Sequence, residues 1–306
     1  MNSKVELLID NISKVIFGKR KEITNVLICL LSKGHILLED VPGVGKTTLI
    51  HSLAKSIDCS FNRVQFTPDL LPSDIIGVSV YNPKESEFKF NKGPIFTNVL
   101  LADEINRTSP KTQSSLLESM QERQVTIDGK TYILDEPFIV LATENPIEYE
   151  GTFPLPEAQL DRFMMKITIG YPDKYSEKQI LKDFSGRTPL DDLKAVINTQ
   201  ELLLMQEEAD KVFVSEEIED MIISISHNSR NHKDIKLGVS PRGSLFLYRA
   251  SKSLAYIKGR NYVIPDDIKD IYLQVLAHRI ILKPESKLNE VDASIVLKDI
   301  LSKIKI

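Results

Sequence analysis

The chain has 306 residues, 42% of them apolar, which fits one large domain or two ordinary ones built on a real core. A net charge of −4 gives no electrostatic reason to expect nucleic acid as the main partner, and no apolar run is long enough to span a bilayer. Cys29 and Cys59 stand alone, and five scattered histidines include no H-E-x-x-H, so a disulfide scaffold and a zinc enzyme are excluded.

Met1-Asn2-Ser3-Lys4-Val5-Glu6 carries charge where a signal peptide would be apolar, so a cytoplasmic protein is expected. Ser3-Lys4-Val5-Glu6 reads as a capping box. Val5, Leu8, Ile9, Ile12 and Val15 then fall on one helical face, with Gly18 as its C-cap. A second amphipathic helix carries Ile23, Val26, Leu27, Leu30 and Leu31 and ends near Gly34. A strand over 35–39 leads into Asp40-Val41-Pro42-Gly43-Val44-Gly45-Lys46-Thr47-Thr48, and a helix leaves it. Strand, glycine-bearing turn, Gly-Lys-Thr and helix is the layout of a phosphate-binding loop. Its glycines let backbone N–H groups converge on phosphate oxygens at the positive end of a helix. Lys46 can reach the β- and γ-phosphates, and the Thr47 hydroxyl can ligate Mg²⁺. The usual pattern G-x-x-x-x-G-K-[ST] has glycine where this chain has Asp40.

The next strand is expected over 61–66. An irregular insertion over 67–98 follows, with four prolines and short alternating runs. A structureless loop of that length is uncommon in a compact domain, so it should hold small hairpins or a short helix, decorative or functional. Strands over 99–102, 138–142 and 164–169, a helix from Ser109-Pro110, and a hairpin turning at Asp128-Gly129 complete a pattern that argues a parallel α/β sheet. Beyond Gly170-Tyr171-Pro172 helical periodicity dominates, interrupted at Gly186-Arg187-Thr188-Pro189 and over 232–240. Ser215-Glu216-Glu217 and Pro265-Asp266-Asp267 each open a helix. The domains are therefore expected as 1–172 and 173–306, with the boundary between 170 and 190.

Asp103 and Glu104 end the strand over 99–102. An Asp there can hold Mg²⁺ opposite Thr47, and the neighbouring Glu can polarise a water for in-line attack on the γ-phosphate. Asn145 could orient that water, or be an ordinary turn residue. Arg162 and Arg242 could act on phosphate, or form surface ion pairs.

The order of these motifs resembles the AAA+ ATPases, and most closely the MoxR group. The resemblance rests on Leu38-Glu39-Asp40 through Thr47, Gln65-Phe66-Thr67-Pro68-Asp69, Gly93-Pro94-Ile95-Phe96, Leu101-Ala102-Asp103-Glu104-Ile105-Asn106-Arg107 and Met120-Gln121-Glu122-Arg123. It implies a P-loop NTPase fold, a five-stranded parallel αβα core followed by a smaller all-α lid. It implies ATP or ADP with Mg²⁺ as cofactors. Pro42, Gly43, Val44, Gly45, Lys46, Thr47 and Thr48 would be Walker A. Asp103 and Glu104 would be Walker B, with Glu104 the base and Thr47 and Asp103 the metal contacts. Asn145 would be sensor 1. Arg162 would be an arginine finger acting on a neighbouring subunit. Arg242 would be sensor 2, reaching the nucleotide of its own subunit. Val15, Ile16, Phe17 and Gly18 would line the adenine. The insertion after Phe66 and the Asp128-Gly129 hairpin match the helix-2 insert and pre-sensor hairpin of this clade. Glu144 stands where the family often has Gln.

The same resemblance implies a homo-oligomeric ring, usually a hexamer. It also implies a partner with a von Willebrand factor A domain and a chaperone-like action on a protein client. Three other readings remain: the ATPase subunit of a metal chelatase, a nucleotide-dependent switch with little turnover, and a DNA-directed AAA+ motor, which the acidic balance disfavours.

Overall fold

The computed structural model describes residues 1–145, 151–183 and 189–304. It begins with helices α1 (Ser3–Ser13) and α2 (Arg20–Leu31). Their predicted apolar faces are the buried ones: Val5, Leu8, Ile9 and Ile12, and Ile23, Val26, Leu27, Leu30 and Leu31, are at most 2% exposed. The N-cap of α1 is Asn2 rather than Ser3; its Oδ1 accepts from the Lys4 N–H at 3.1 Å, as a good capping side chain does. Gly18 does not cap α1, which stops at Ser13. With φ at +69° it makes the turn towards α2.

Then come β1 (Ile36–Glu39), α3 (Lys46–Ser56) and β2 (Phe61–Gln65). The insertion contains both of the elements considered for it: a short helix, α4 (Pro72–Ile76), and an antiparallel hairpin, β3 (Gly77–Asn82) with β4 (Glu87–Lys92). Gly77, at φ +100°, could not be another residue, because a Cβ there would lie 2.3 Å from the carbonyl oxygen of Asn91. β5 (Val99–Asp103) and α5 (Pro110–Glu122) follow, α5 capped by Ser109 as expected. β6 (Gln124–Ile127) and β7 (Lys130–Ile133) form the second hairpin. Its turn residues Asp128 and Gly129 both have positive φ, which a type I′ turn requires. β8 (Ile139–Glu144), α6 (Glu157–Leu160) and β9 (Met165–Ile167) complete this part.

β2, β5, β8, β1 and β9 form one parallel sheet in that order. Both faces are covered, so the strands read as near-continuous apolar runs. Leu37, Leu100, Ala102, Val140 and Ala142 share one core with Leu116, Leu117 and Met120 of α5 and with Phe163. Ile36, Leu38, Val99, Leu101, Ile139 and Leu141 face the other way, into a larger core that includes α1, α2 and α3. Each buried leucine or isoleucine contributes about 1.5–3 kcal/mol of transfer free energy.

The remaining helices are α7 (Lys174–Asp183), α8 (Thr199–Asp210), α9 (Glu216–Arg230), α10 (Pro241–Ile257), α11 (Pro265–Leu276), α12 (Pro284–Leu288) and α13 (Ala293–Ser302). The lid is helical as expected, with one addition: a short antiparallel ribbon of β10 (Ile235–Leu237) and β11 (Ile281–Leu282), too brief to show a period in the sequence. Part of the predicted break at Gly186-Arg187-Thr188 lies outside the described residues. The lid is fastened to α2 where that helix leads into β1. Gln206 Nε2 donates to the Leu30 carbonyl at 2.7 Å, and the hydroxyls of Ser32 and Ser253 are 2.7 Å apart. The larger core continues through these contacts into α8, α9, α10, α11 and α13. Among the described residues, no helix is long and apolar enough to cross a membrane.

One buried charge organises the lid. Asp267 is fully buried, takes an ion pair from Arg260 at 2.6 Å and another from Lys258 at 3.2 Å, and caps α11 by accepting the Ile264 N–H at 3.0 Å. Asp267→Ala removes the carboxylate partner of Arg260 and the acceptor of the Ile264 N–H, while Lys258 keeps Asp270 at 2.6 Å, and should lower unfolding stability by about 3 kcal/mol. Urea unfolding reads this directly; a loss below about 1 kcal/mol would show that water replaces the carboxylate.

Candidate functional site

All five strands of the sheet run the same way, so their C-terminal ends share one edge, and the candidate site is built there. β1 ends at Glu39, and the loop that follows turns on Gly43 and Gly45, both at φ +87°, in the left-handed region. Gly45 is the N-cap of α3, so the first N–H groups of that helix point out of the loop. Lys46 donates to the Asp40 carbonyl at 2.7 Å. Burial pulls the Lys46 ammonium below its usual value, against the opposing pull of Asp40, Asp103 and Glu104.

Asp103 ends β5, between β2 and β8 in the sheet. Both of its carboxylate oxygens are engaged by those neighbours. Oδ1 accepts from the Thr143 hydroxyl at 2.6 Å, and Oδ2 from Arg63 Nη2 at 2.6 Å and Nε at 3.1 Å. Thr143, fully buried, also accepts the Glu104 N–H at 2.8 Å. That bond helps to hold Glu104 at φ +57°, an uncommon conformation for a non-glycine residue. The Glu104 Oε2 accepts from Gln65 at 2.6 Å and from Arg107 at 3.0 Å. Arg63, Gln65, Thr143 and Arg107 were given no role from the sequence. The signal for two of them was there: Arg63 and Gln65 are polar at alternate positions of one strand, and therefore share a face.

Lys46, Thr47, Asp103, Glu104 and Asn145 line one polar cavity of about 410 Å³, with Pro42, Gly43, Gly45 and Thr48 as its floor. An apolar cavity of about 250 Å³ adjoins it and shares Gly43, Gly45 and Thr48. Val15, Ile16, Phe17 and Val44 line this second space, closed by Pro172 and by Ile180 of α7. Gly18 does not line it; a Cβ there would meet the Ser176 hydroxyl. The polar space suits a polyphosphate and the apolar one a planar base. Thr47 and Asp103 offer two hard oxygen donors beside the phosphate space. This fits Mg²⁺, which keeps several waters and binds through one or two protein oxygens plus phosphate. Among the described residues there is no cluster of three or more His, Cys, Asp or Glu that could cage a metal without nucleotide.

Two predicted residues lie elsewhere. Arg162 precedes β9, whose first residue pairs with Ile36 at the start of β1, and the Met164 N–H donates to the His35 carbonyl. Arg162 is therefore at the N-terminal edge of the sheet, opposite its own phosphate loop. Its side chain makes no hydrogen bond or ion pair among the described residues. Arg242 is at the same edge. Its Nη2 donates to Gln121 at 3.3 Å, near the end of α5, and its Nη1 lies 3.9 Å from Asp161. α5 ends at the far edge, where the Met120 carbonyl lies 3.0 Å from His35 Nε2, just before β1. In this structure, then, Arg242 engages Gln121 and Asp161 and not its own phosphate loop. The lid packs against the opposite edge, and Ser240 and Arg279 fix it there through Asp161.

Beside Asn145, Glu144 is pushed up from 4.5 to about 7, first by burial and then by Glu39, against the pull of Lys166. Lys166 pairs with Glu39 at 2.6 Å. A carboxyl with a raised native pKa binds its proton more tightly when folded. Stability is therefore lost as pH rises from 4.5 towards 7, and stays lost above it. Glu144→Gln should stabilise the protein by about 1–3 kcal/mol at pH 8 and little at pH 5. Urea titrations at the two pH values decide; an equal gain at both would rule out the charge as the cause.

Comparison with known proteins points the same way. Residues 35–165 match the ATPase family associated with various cellular activities, AAA, and residues 227–300 match the AAA lid domain. The chain is 49% identical to an uncharacterised Bacillus subtilis protein, YeaC, over 97% of this chain and 93% of that one. It is 42% identical to a Mycobacterium tuberculosis protein named chaperone MoxR1, over 98% of this chain and 81% of that one. Its fold superposes on the crystal structure of a candidate ATPase from Cytophaga hutchinsonii with a TM-score of 0.92 at 43% identity, covering 99% of this chain and 94% of that one.

Proposed function

This chain belongs to the MoxR group of AAA+ ATPases, and from that premise we propose that it hydrolyses Mg·ATP within a homo-oligomeric ring and uses the cycle to remodel or activate a protein client. The observation that carries the reading is the division of charges between the two edges of the sheet. Lys46, Thr47, Asp103, Glu104 and Asn145 meet at one edge, while Arg162 and Arg242 sit at the other. A subunit so built has Lys46 and Arg63 beside its phosphate space but keeps Arg162 and Arg242 away from it. A neighbour presenting those two arginines would add cations that stabilise charge on a departing phosphate. Six subunits, a von Willebrand factor A partner and a cytoplasmic location belong to the reading through the family likeness.

In this proposal the adenine lies against Val15, Ile16 and Phe17, and the phosphates lie on the N–H groups from Gly43 to Thr48. Thr47 and Asp103 would hold Mg²⁺, which would supply positive charge to the phosphate oxygens. Glu104 takes a proton from the attacking water, and Asn145 orients that water. Gln65 and Arg107 both hold the Oε2 oxygen of Glu104, and Arg63 holds the Oδ2 oxygen of Asp103. These contacts position both carboxylates at the mouth of the cavity.

Glu104→Gln should retain ATP binding while hydrolysis falls by about 10²–10⁴-fold; loss of binding would sink the role of Glu104. Arg162→Ala and Arg242→Ala should each lower turnover by about 10³-fold or less, alone. Mixing either with Glu104→Gln subunits should restore activity, because each partner then supplies what the other lacks. Absence of rescue for Arg242→Ala would return that residue to its own subunit's site.

A further inference from the structure

The departure of this chain from the usual loop pattern has a structural purpose. Asp40 is 6% exposed, and its carboxylate reaches across the sheet edge to the segment that leaves β9. Oδ2 accepts the N–H groups of Ile169 at 2.6 Å and Gly170 at 2.7 Å, and Oδ1 accepts the Val41 N–H at 3.0 Å. β9 ends at Ile167, so neither of the first two N–H groups has a ladder partner; Ile169 is 4% exposed, and a buried N–H must be paired. Glycine at position 40 offers no acceptor. Lys19 binds the same segment from the other side, donating to the carbonyls of Ile169 at 2.6 Å and Tyr171 at 2.9 Å. The segment is thus clamped by a carboxylate on its N–H groups and an ammonium on its carbonyls.

What this clamp positions borders the nucleotide space. Pro172 and Ile180 close the apolar cavity, and Lys19 lines it. Asp173 caps α7 by accepting the Ser176 N–H at 2.8 Å. Little else of α7 is buried: of its residues only Ser176 is, and Tyr175 and Leu181 are 73% and 74% exposed. The Asp40 backbone meanwhile receives Lys46 on its carbonyl and donates its own N–H to Glu144 at 3.3 Å, next to Asn145.

We propose that Asp40 is a positioning residue that ties the phosphate loop to the 169–172 segment, so that nucleotide in the loop sets the position and order of α7. The proposal rests on the nucleotide reading above for its ligand, and on the hydrogen bonds alone for the tether. A chain with glycine at position 40 keeps a phosphate loop but loses this connection. Asparagine retains one acceptor oxygen and part of it.

Hydrogen exchange on the full-length protein, with and without ADP, tests both parts. In Asp40→Gly the amides of Ile169 and Gly170 should exchange about tenfold or more faster without nucleotide, as expected for loss of hydrogen bonds to a charged group. ADP should still bind, with Kd within about tenfold of wild type, because the loop keeps its usual glycine pattern. ADP should slow exchange across 172–183 in the wild type and not in Asp40→Gly, and turnover should fall while KM for ATP changes little. Asp40→Asn should recover part of each effect. Unchanged exchange at 169–170 in Asp40→Gly would overturn the tether. Equal ADP protection of α7 in wild type and variant would overturn the coupling. Failure of the wild type to bind ADP would overturn the nucleotide reading and the coupling with it, while exchange at 169–170 still decides the tether.

Discussion

The parallel register of the sheet is the constraint from which the rest follows. Because β2, β5, β8, β1 and β9 point the same way, every strand delivers its last residue to one edge and its first to the other. Lys46, Asp103, Glu104 and Asn145 come from three strand ends and need no long excursion to meet. Arg162 stands just before a strand, so the same geometry sends it to the far side. A sheet of this kind cannot place a residue that precedes β9 beside one that follows β1. Division of the charges between two faces is therefore built into the topology.

Within the site, the polar groups are satisfied by one another. The Thr143 hydroxyl both donates to Asp103 and accepts from Glu104, so one buried oxygen sets the positions of two acidic residues. Arg63 and Gln65 hold the same two carboxylates from the other flank. Leaving such groups unpaired in a low-dielectric setting would cost about 1–3 kcal/mol each. The arrangement avoids that penalty, and it places the acids in defined positions before any ligand arrives.

Much of this was legible from residue order. The apolar faces of α1 and α2, the five strands, the Asp128-Gly129 turn and the Walker residues are written in short-range patterns: helical period, alternation, turn chemistry and a glycine-lysine-threonine run. What was not legible depended on neighbours in space. Thr143 is an ordinary residue of an apolar strand until β5 is placed beside it. Asn2 rather than Ser3 caps α1, since both are good caps one residue apart and tertiary packing chooses between them. The ribbon of β10 and β11 is too short to carry a period. Arg242 was assigned to its own nucleotide from motif order, which says nothing about the edge of the sheet against which the lid packs. Asp40 stands where the loop pattern has glycine, and the partners that explain it are about 130 residues away in sequence, beyond any local rule.

The lid also shares its apolar interior with α1, α2 and α3, and Gln206, Ser32 and Ser253 add buried hydrogen bonds at that junction. Swinging the lid away from the sheet would expose that interior to water at about 25 cal/mol for every Å² uncovered. Lid and sheet are therefore joined as one packed body, with α7, of which only Ser176 is buried, at the mouth of the two cavities. In the ring proposed above, motion would then be carried by whole subunits turning against each other, and the compliance of the assembly would reside in the seams between chains.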